Sequence, residues 1–478
     1  MNLNLLQARN HFVDRYCNNV PRSWAGNFPI VTSTCGTALS CYELAGGIAY
    51  ICNELWAIGA QNLAHTTAEA RGAARRWKPD YWCGWNAHEW QTCAIPYHTE
   101  QKFDSCYVGF LQEYIFGTSL IVLESGAQGT QAWKYTDRYP DKKGERASEG
   151  YDGHVARSYR DVVKKFYDWV KANPRDKGTP ETKIAIALGN LDAYLGLNGG
   201  FNVWSQHDNA ATNALWKYGP PEGTQALLQD LFFPRSSKVI EPYGNAWLAG
   251  TPFGQVDVMN VDDESTLADL KRYDLLVFGG WNTMMPLQKD VLRRYVENGG
   301  VLLMSVPQWT TRLDRDSMNY TAADLIQPFG QIAVSAPVAA AGRIGDQDVT
   351  LKLATVTPGP DSEVVETLDG KPLLVKTRVG KGAFYLFTPW HFAGYKGAYA
   401  ELYRAWVSRL AREVRQTATI ETADDDPETL TCITYGVYPN TIYILNMDTR
   451  HARRVNLIVA GTKRLIELAP CEIKVIKR

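Results

Sequence analysis

The chain has 478 residues, of which 45% are hydrophobic and 21% charged, and its formal net charge is -1 at pH 7. This composition is typical of a globular protein with room for two or three domains. The near-zero net charge, without any run of five or six like charges, excludes a general attraction to nucleic acid or to a membrane surface.

The N-terminal residues and the cysteines bear on the cellular compartment. Met1–Asn10 has no basic start followed by an apolar segment, and nowhere do eighteen apolar residues run together. Seven of the nine cysteines fall in the first 106 residues, without metal-type C-x-x-C spacing. We expect reduced, buried thiols, no metal, no cofactor and a cytoplasmic protein; a secreted or periplasmic location stays open if a leader is missing.

Residues 1–222 alternate extended apolar runs with helical patterns, which is typical of a parallel sheet wrapped by helices. The predicted strands lie near 28–34, 48–54, 81–89, 119–124 and 183–189. The predicted helices are Leu5–Tyr16, Thr66–Trp77 and Val155–Ala172, the last with an apolar stripe through Tyr159, Val162, Val163, Phe166 and Val170. Five strands rather than eight predict a TIM-barrel-like domain incomplete at its N-terminus, or an atypical sheet.

A second α/β pattern occupies residues 223–413. Strands are predicted at 238–240, 256–259, 274–278, 301–304 and 383–387, with a helix over Leu287–Asn298 and a β-rich insertion at about 330–380. This alternation predicts a doubly wound, flavodoxin-like α/β domain. Residues 414–478 contain only strand and turn patterns, which predict a small C-terminal β-sandwich.

Three glutamates, Glu54, Glu89 and Glu124, stand at the ends of the second, third and fourth runs, one every 35 residues. Because the carboxyl ends of parallel strands share one edge, we expect all three carboxylates at that edge, where barrel enzymes keep their chemistry. Paired carboxylates on such a face indicate glycoside hydrolysis.

The three glutamates differ in their sequence context. Glu124 follows the apolar run Leu120–Leu123 and precedes Ser-Gly, which makes it the candidate nucleophile. Asn53-Glu54 matches the Asn-Glu pair that supplies the general acid/base in many retaining glycosidases. Glu89 is the alternative acid/base, or a neighbour that raises a pKa by like-charge repulsion. The choice between Glu54 and Glu89 stays open, as does that between a retaining and an inverting mechanism.

Further side chains near these strand ends are predicted to contact a sugar, because aromatic rings stack on sugar rings and polar groups bind hydroxyls. They are Asn53, Trp56, His65, Trp85, Asn86, His88, Trp90, Asn190, Asp192, Trp204 and Gln206. A structural role is the alternative for each. Asn190 and Asp192 would belong to a loop closing over the site, or to a structural loop between domains.

The sequence of the middle region, residues 223–413, predicts neither an amidotransferase active site nor a nucleotide-binding site. A class I amidotransferase needs a cysteine nucleophile in a sharp strand-to-helix turn, and no cysteine occurs between Cys106 and Cys432. The turn after the third predicted strand reads Gly279-Gly280-Trp281, and no glycine-rich nucleotide motif is present.

This order of domains resembles glycoside hydrolase family 42 β-galactosidases and related clan A glycosidases. The segments Tyr273–Phe278 and Tyr295–Leu302 look like the trimerisation domain of those enzymes. The resemblance implies a carbohydrate substrate, self-association through the middle domain, an acid/base at Asn53-Glu54 and a nucleophile at Glu124. In the clan these residues are three strands apart; counting back three from Glu124 reaches 28–34, which ends without a glutamate.

Two other functions compete with a glycoside hydrolase. The chain would be a non-catalytic carbohydrate-binding or assembly protein if its incomplete barrel serves only as an aromatic pocket. It would be a hydrolase of another class if the flavodoxin-like edge near Trp281 and Trp309 carries the chemistry.

Overall fold

The computed structural model describes residues 4–14, 31–34, 37–48, 50–55, 62–77, 82–86, 99–123, 154–192, 194, 218–242, 247–314 and 323–478. Within them, the first half holds the strands β1 (Val31–Thr34), β2 (Tyr50–Leu55), β3 (Cys83–Asn86) and β4 (Leu120–Leu123). Its helices are α1 (Leu5–Phe12), α2 (Thr37–Ala45), α3 (Leu63–Trp77), α4 (Glu100–Phe116) and α5 (His154–Ala172).

The first four strands form one parallel sheet in the order β1-β2-β3-β4. Each strand neighbours the next one along the chain, as in a barrel wall. The described residues form an open sheet and not a closed barrel. An apolar run such as Leu120–Leu123 is expected to be buried, but Leu120 and Val122 are 49% and 37% exposed, and β4 is the last strand of this sheet among the described residues.

The helices of this half differ in detail from their predictions. Helix α3 begins at Leu63 instead of Thr66, because Asn62 caps it: the backbone N–H of His65 donates to Asn62 Oδ1 at 2.7 Å. In α5, Tyr159 and Val162 are buried as predicted, whereas Val163 is exposed.

A seven-stranded sheet has the order β11-β12-β13-β8-β7-β5-β6. Its strands are β5 (Thr182–Leu188), β6 (Gln255–Asn260), β7 (Leu275–Phe278), β8 (Val301–Ser305), β11 (Ser362–Leu368), β12 (Lys371–Val379) and β13 (Gly382–Phe387). The five parallel strands run β6-β5-β7-β8-β13, which is the flavodoxin-like order.

The position of β5 corrects the sequence analysis. The strand predicted at 183–189 exists, but it pairs with β6 and β7 and lies inside the second sheet, not in the first. A division of the chain at residue 222 therefore does not separate the two sheets.

The rest of this half contains α6 (Pro220–Phe232), α7 (Leu267–Leu270), α8 (Pro286–Glu297), α9 (Ala323–Ile326), α10 (Ala398–Glu413) and 3-10 turns at Ser237–Ile240 and Val306–Trp309. The first of these turns replaces the strand predicted at 238–240: Ser236 Oγ accepts from Lys238 N and caps it. The predicted insertion contains β11, β12 and a long hairpin of β9 (Ala333–Ile344) and β10 (Gln347–Thr357).

The C-terminal residues form two three-stranded antiparallel sheets, β14-β17-β18 and β15-β16-β19. Their strands are β14 (Ala418–Thr422), β15 (Ile433–Val437), β16 (Thr441–Asn446), β17 (Arg453–Val459), β18 (Thr462–Leu468) and β19 (Ile473–Lys477). Ile420, Ile444 and Leu457 belong to one apolar cluster drawn from both sheets. The two sheets therefore pack as a small sandwich.

Helix α3 joins the first sheet to the second. It lies against β6 so closely that a Cβ at Gly72 would be 2.2 Å from the carbonyl oxygen of Val258. Beside this contact, Arg71 and Arg75 both pair with the buried carboxylate of Asp257, Arg71 Nε at 2.5 Å. Burial by itself raises the pKa of Asp257, but the Arg75 and Arg71 guanidinium groups hold it below its ordinary value.

Two further findings concern the helices and the cysteines. Among the helices described, none is both long and apolar enough to span a membrane. Six cysteines in the described ranges are present as thiols, and five of them are buried.

Candidate functional site

The carboxyl ends of β2, β3 and β4 meet at one edge of the first sheet. Glu54 is level with Trp85 on β3, and Leu55 is level with Asn86. Asn86 is in turn level with Leu123 on β4, the residue that precedes Glu124 in the chain. Since neighbouring strands are about 4.8 Å apart, the backbones of β2 and β4 are separated by about 10 Å.

The structure describes part of the predicted site. Four of the predicted residues lie in described strands: Asn53 and Glu54 in β2, and Trp85 and Asn86 in β3. Seven lie outside the described residues: Trp56, His88, Glu89, Trp90, Glu124, Trp204 and Gln206. Strand β1 ends at Thr34, level with Asn53, so the strand three steps before Glu124 contributes no glutamate.

A buried carboxyl group lies directly behind this edge and was not among the predicted site residues. Glu113, on α4, is fully buried against β3, where a Cβ at Gly84 would be 2.6 Å from Glu113 Oε2. Neither carboxyl oxygen has a hydrogen-bond partner among the described residues. Burial raises the pKa of Glu113 to about 8, so the group is protonated at neutral pH. A glycine inside a strand is the sequence signal for such a close approach.

His65 is a core residue. Its ring lies edge-on to Phe233 at 5.6 Å and to Tyr194 at 6.5 Å between centroids, and it is almost fully buried. Burial, with a smaller contribution from Arg235, lowers the pKa of His65 to about 3, so the imidazole is neutral. These contacts leave His65 no surface for the predicted sugar contact.

Asn190 and Asp192 follow β5 and therefore lie at the carboxyl edge of the second sheet. Both are buried, and Asn190 Nδ2 donates to the carbonyl oxygen of Thr283 at 3.2 Å. Asp192 Oδ1 accepts from the backbone N–H of Tyr194 at 3.0 Å. These bonds support a structural role, the alternative weighed for this loop.

The carboxyl edge of the second sheet is filled by hydrogen-bonded amides. Asn282 Oδ1 accepts from the backbone N–H of Asn190 at 2.8 Å and from Gln288 Nε2 at 2.7 Å, and Asn282 Nδ2 donates to the carbonyl oxygen of Gln308 at 2.7 Å. Gln225 is an exception, since its buried amide makes no hydrogen bond to a described residue.

The two tryptophans that suggested chemistry at this second edge are in the core. Trp309 is fully buried between Phe329 and Phe384, and Trp281 is almost fully buried beside Phe392. Their rings therefore offer no stacking surface to a ligand, and a hydrolase of another class at this edge would need other residues. In the described ranges, no group of three or more His, Cys, Asp or Glu residues is arranged to hold a metal ion.

Comparison with solved structures identifies the fold. The chain is similar to a catalytic mutant of a GH42 β-galactosidase from G. stearothermophilus (TM-score 0.58, 13% identity), covering 100% of this chain and 68% of that one. It is also similar to β-galactosidases from Bacillus circulans sp. alkalophilus (TM-score 0.59, 12% identity) and the haloarchaeon Halorubrum lacusprofundi (TM-score 0.60, 14% identity), each covering 99% of this chain and 68% of the other.

The sequence matches no protein-family model and no curated protein. Identities of 12 to 14% establish likeness of fold. The predicted resemblance to GH42 β-galactosidases is therefore confirmed at the level of the mixed α/β fold.

Proposed function

We propose that the protein is a glycoside hydrolase that cleaves a β-glycosidic bond in an oligo- or polysaccharide. The observation that carries the proposal is the register of β2, β3 and β4, which aligns Glu54 with Trp85 and Asn86 with the residue before Glu124. A carboxylate pair at the carboxyl edge of a parallel sheet is the machinery of this reaction. The shared fold with β-galactosidases supports the same reaction class.

In the proposed mechanism Glu124 attacks the anomeric carbon, and Glu54 or Glu89 protonates the leaving oxygen and later activates water. A retaining reaction needs carboxyl groups about 5 to 5.5 Å apart, and an inverting one about 6.5 to 9.5 Å. Backbones about 10 Å apart allow long side chains to reach either separation. We favour the retaining route because Asn53-Glu54 has the order found in retaining enzymes.

The deciding experiment is Glu124→Ala assayed on an aryl β-galactoside. We expect turnover to fall about 10⁴-fold or more, because the covalent route loses its nucleophile. Rescue by azide with the opposite anomeric product would identify Glu124 as the nucleophile. Activity equal to that of the unaltered chain would remove Glu124 from the mechanism.

The second candidate is a non-catalytic carbohydrate-binding or assembly protein. A hydrolysis assay on the unaltered chain, run beside a binding measurement, separates the two functions. Oligosaccharide binding by the unaltered chain, without release of reducing ends over a panel of glycans, would select this candidate.

We also propose that the protein self-associates through its middle region, as the amidotransferase-like trimerisation domain of the related enzymes implies. The hairpin β9–β10 supports this, because its outer face exposes Val338 and small residues. Sedimentation velocity should show an oligomer that Val338→Lys weakens and Leu287→Lys, at another exposed apolar residue, leaves intact.

A further inference from the structure

An open groove runs between the end of α5 and the C-terminal sandwich. Its volume is about 750 Å³, and it is lined by Trp169 and Asn173 on one side and by residues 464–467 of β18 and 473–476 of β19 on the other. This volume is in the range of small-molecule sites, which often form where two parts of a protein meet. Among the residues that the structure describes, none from the ends of β2, β3 and β4 lines the groove.

The α5 side of the groove is held rigidly. The ring of Trp169 lies 5.4 Å from that of Tyr114 and 6.4 Å from that of Tyr443, between centroids. Asn173 donates to the carbonyl oxygen of Trp169 from its backbone N–H at 2.9 Å and from Nδ2 at 3.0 Å. Tyr114 Oη donates to the carbonyl oxygen of Asn173 at 2.8 Å. A wall fixed in this way loses little entropy when a ligand binds.

The opposite side offers polar groups that the fold does not use. Arg464 and Glu467 are exposed, and their side chains make no hydrogen bond or ion pair with a residue in the described ranges. Arg464 carries only donors and Glu467 only acceptors, which together suit hydroxyl groups, since a hydroxyl donates and accepts. Lys474 is balanced by Glu472, with Nζ 3.9 Å from Oε1. This near-neutral balance favours an uncharged ligand over a polyanion.

We propose that this groove is a second binding site for an uncharged oligosaccharide, separate from the glutamate edge. The choice of ligand class rests on the proposed function. Trp169 supplies an aromatic surface for a sugar ring. Arg464 and Glu467 are three residues apart on β18 and project from its two faces, Arg464 level with the buried Leu457 and Glu467 level with the exposed Arg454. Each would bind hydroxyls on its own side of the strand. Because the groove is open, an extended sugar chain can enter it. The groove would hold one part of a long substrate while the glutamate edge cleaves another part of the same substrate.

A peptide strand is the competing occupant, because β18 and β19 are both edge strands. The charged side chains Lys463, Arg464, Lys474 and Lys477 along these strands oppose strand addition. The observations therefore favour the sugar.

The test is titration of the full-length Glu124→Ala chain, which should not cleave the probe, with galactotetraose, cellotetraose and mannotetraose, all β-1,4-linked. We expect saturable binding of at least one, and slower hydrogen exchange in β18 and β19 on binding. Adding Arg464→Ala and Glu467→Ala should weaken binding about tenfold, a loss of about 1.4 kcal/mol. Trp169→Ala should also weaken it, with Trp169→Phe intermediate.

The proposal fails if none of the three probes slows hydrogen exchange in β18 and β19. It also fails if the Arg464→Ala/Glu467→Ala variant binds with unchanged affinity. A third contrary result is that this variant loses both thermal stability and binding while Trp169→Phe binds normally. The Arg464→Ala/Glu467→Ala chain with Glu124 intact should hydrolyse a short aryl galactoside at the normal rate. Absent hydrolysis in the unaltered chain would refute the catalytic proposal, whereas binding in the groove would still be measurable.

Discussion

At the carboxyl edge of the seven-stranded sheet, the side chains of Asn190, Asn282, Gln288 and Gln308 hydrogen-bond to one another and to nearby backbone groups. At the corresponding edge of the four-stranded sheet, the chain places glutamates at or just after the strand ends. The same topological position is therefore occupied mainly by hydrogen-bonded amides in one sheet, with the buried Asp192 and the amide of Gln225 as exceptions, and is supplied with glutamates in the other. Amides that bond to one another have few groups left for a ligand, which favours the first edge as the catalytic one.

The largest effect is expected from the acid/base at the first edge. Of Glu54→Gln and Glu89→Gln, one should lower kcat by about 10² to 10⁴-fold on a substrate with a poor leaving group. The loss should shrink with an activated aryl leaving group, which needs no proton. Comparable losses in both variants would contradict a single acid/base, and Asn282→Ala at the second edge is the matched control that should keep kcat.

The junction between the two sheets should respond strongly to loss of charge balance. Asp257→Asn leaves Arg71 and Arg75 buried without their carboxylate, so the free energy of unfolding should fall by about 3 to 5 kcal/mol. Chemical denaturation measures this fall. Asp168→Asn removes an exposed partner of Lys164 and should leave the free energy of unfolding nearly unchanged. Equal effects would show that burial does not govern the strength of these pairs.

Glu113 predicts a pH dependence for the first sheet. Its pKa is raised by burial to about 8 in the folded chain, so its contribution to stability is complete below the unfolded pKa of about 4.5 and is lost as the pH rises through 8. Between pH 5 and 8, the free energy of unfolding should therefore fall more for the unaltered chain than for Glu113→Gln, by on the order of 3 to 4 kcal/mol. Parallel pH profiles for the two chains would refute a buried, protonated Glu113.

A smaller effect is expected from the amide network of the second edge. Asn282→Ala leaves the backbone N–H of Asn190 without its partner and takes one of the two acceptors from Gln288 Nε2, which keeps the carbonyl oxygen of Val261, so stability should fall by about 1 to 3 kcal/mol. Thermal unfolding measures it. A change in KM for an aryl glycoside would show that the second edge takes part in binding after all.

The sequence alone predicts the positions of most of the parallel strands, but it predicts little about which side chains surround one another. Apolar runs locate β2, β3 and β4 to within three residues at either end, because an apolar run bounded by breakers is a local signal. The same signal locates β5 but not its sheet, since β6 and β7 decide that through contacts distant in the chain.

The candidate site shows the same limit. The period of 35 residues between glutamates was enough to predict that their strands are neighbours, because each βα unit adds one strand to a sheet. Nothing local distinguishes His65, a core residue, from a sugar-binding histidine, because its burial comes from Tyr194 and Phe233 far along the chain. Glu113 was missed for the same reason.

Helix α3 follows the second strand of one sheet and yet packs on β6 of the other, with Gly72 allowing the backbones to touch. One large apolar cluster extends from Leu5 to Met447 and draws on both halves, while the first sheet and the C-terminal sandwich each add a smaller cluster of their own. Within the described residues, separating the two sheets would therefore expose part of the shared cluster. Loosening either sheet should disturb the other.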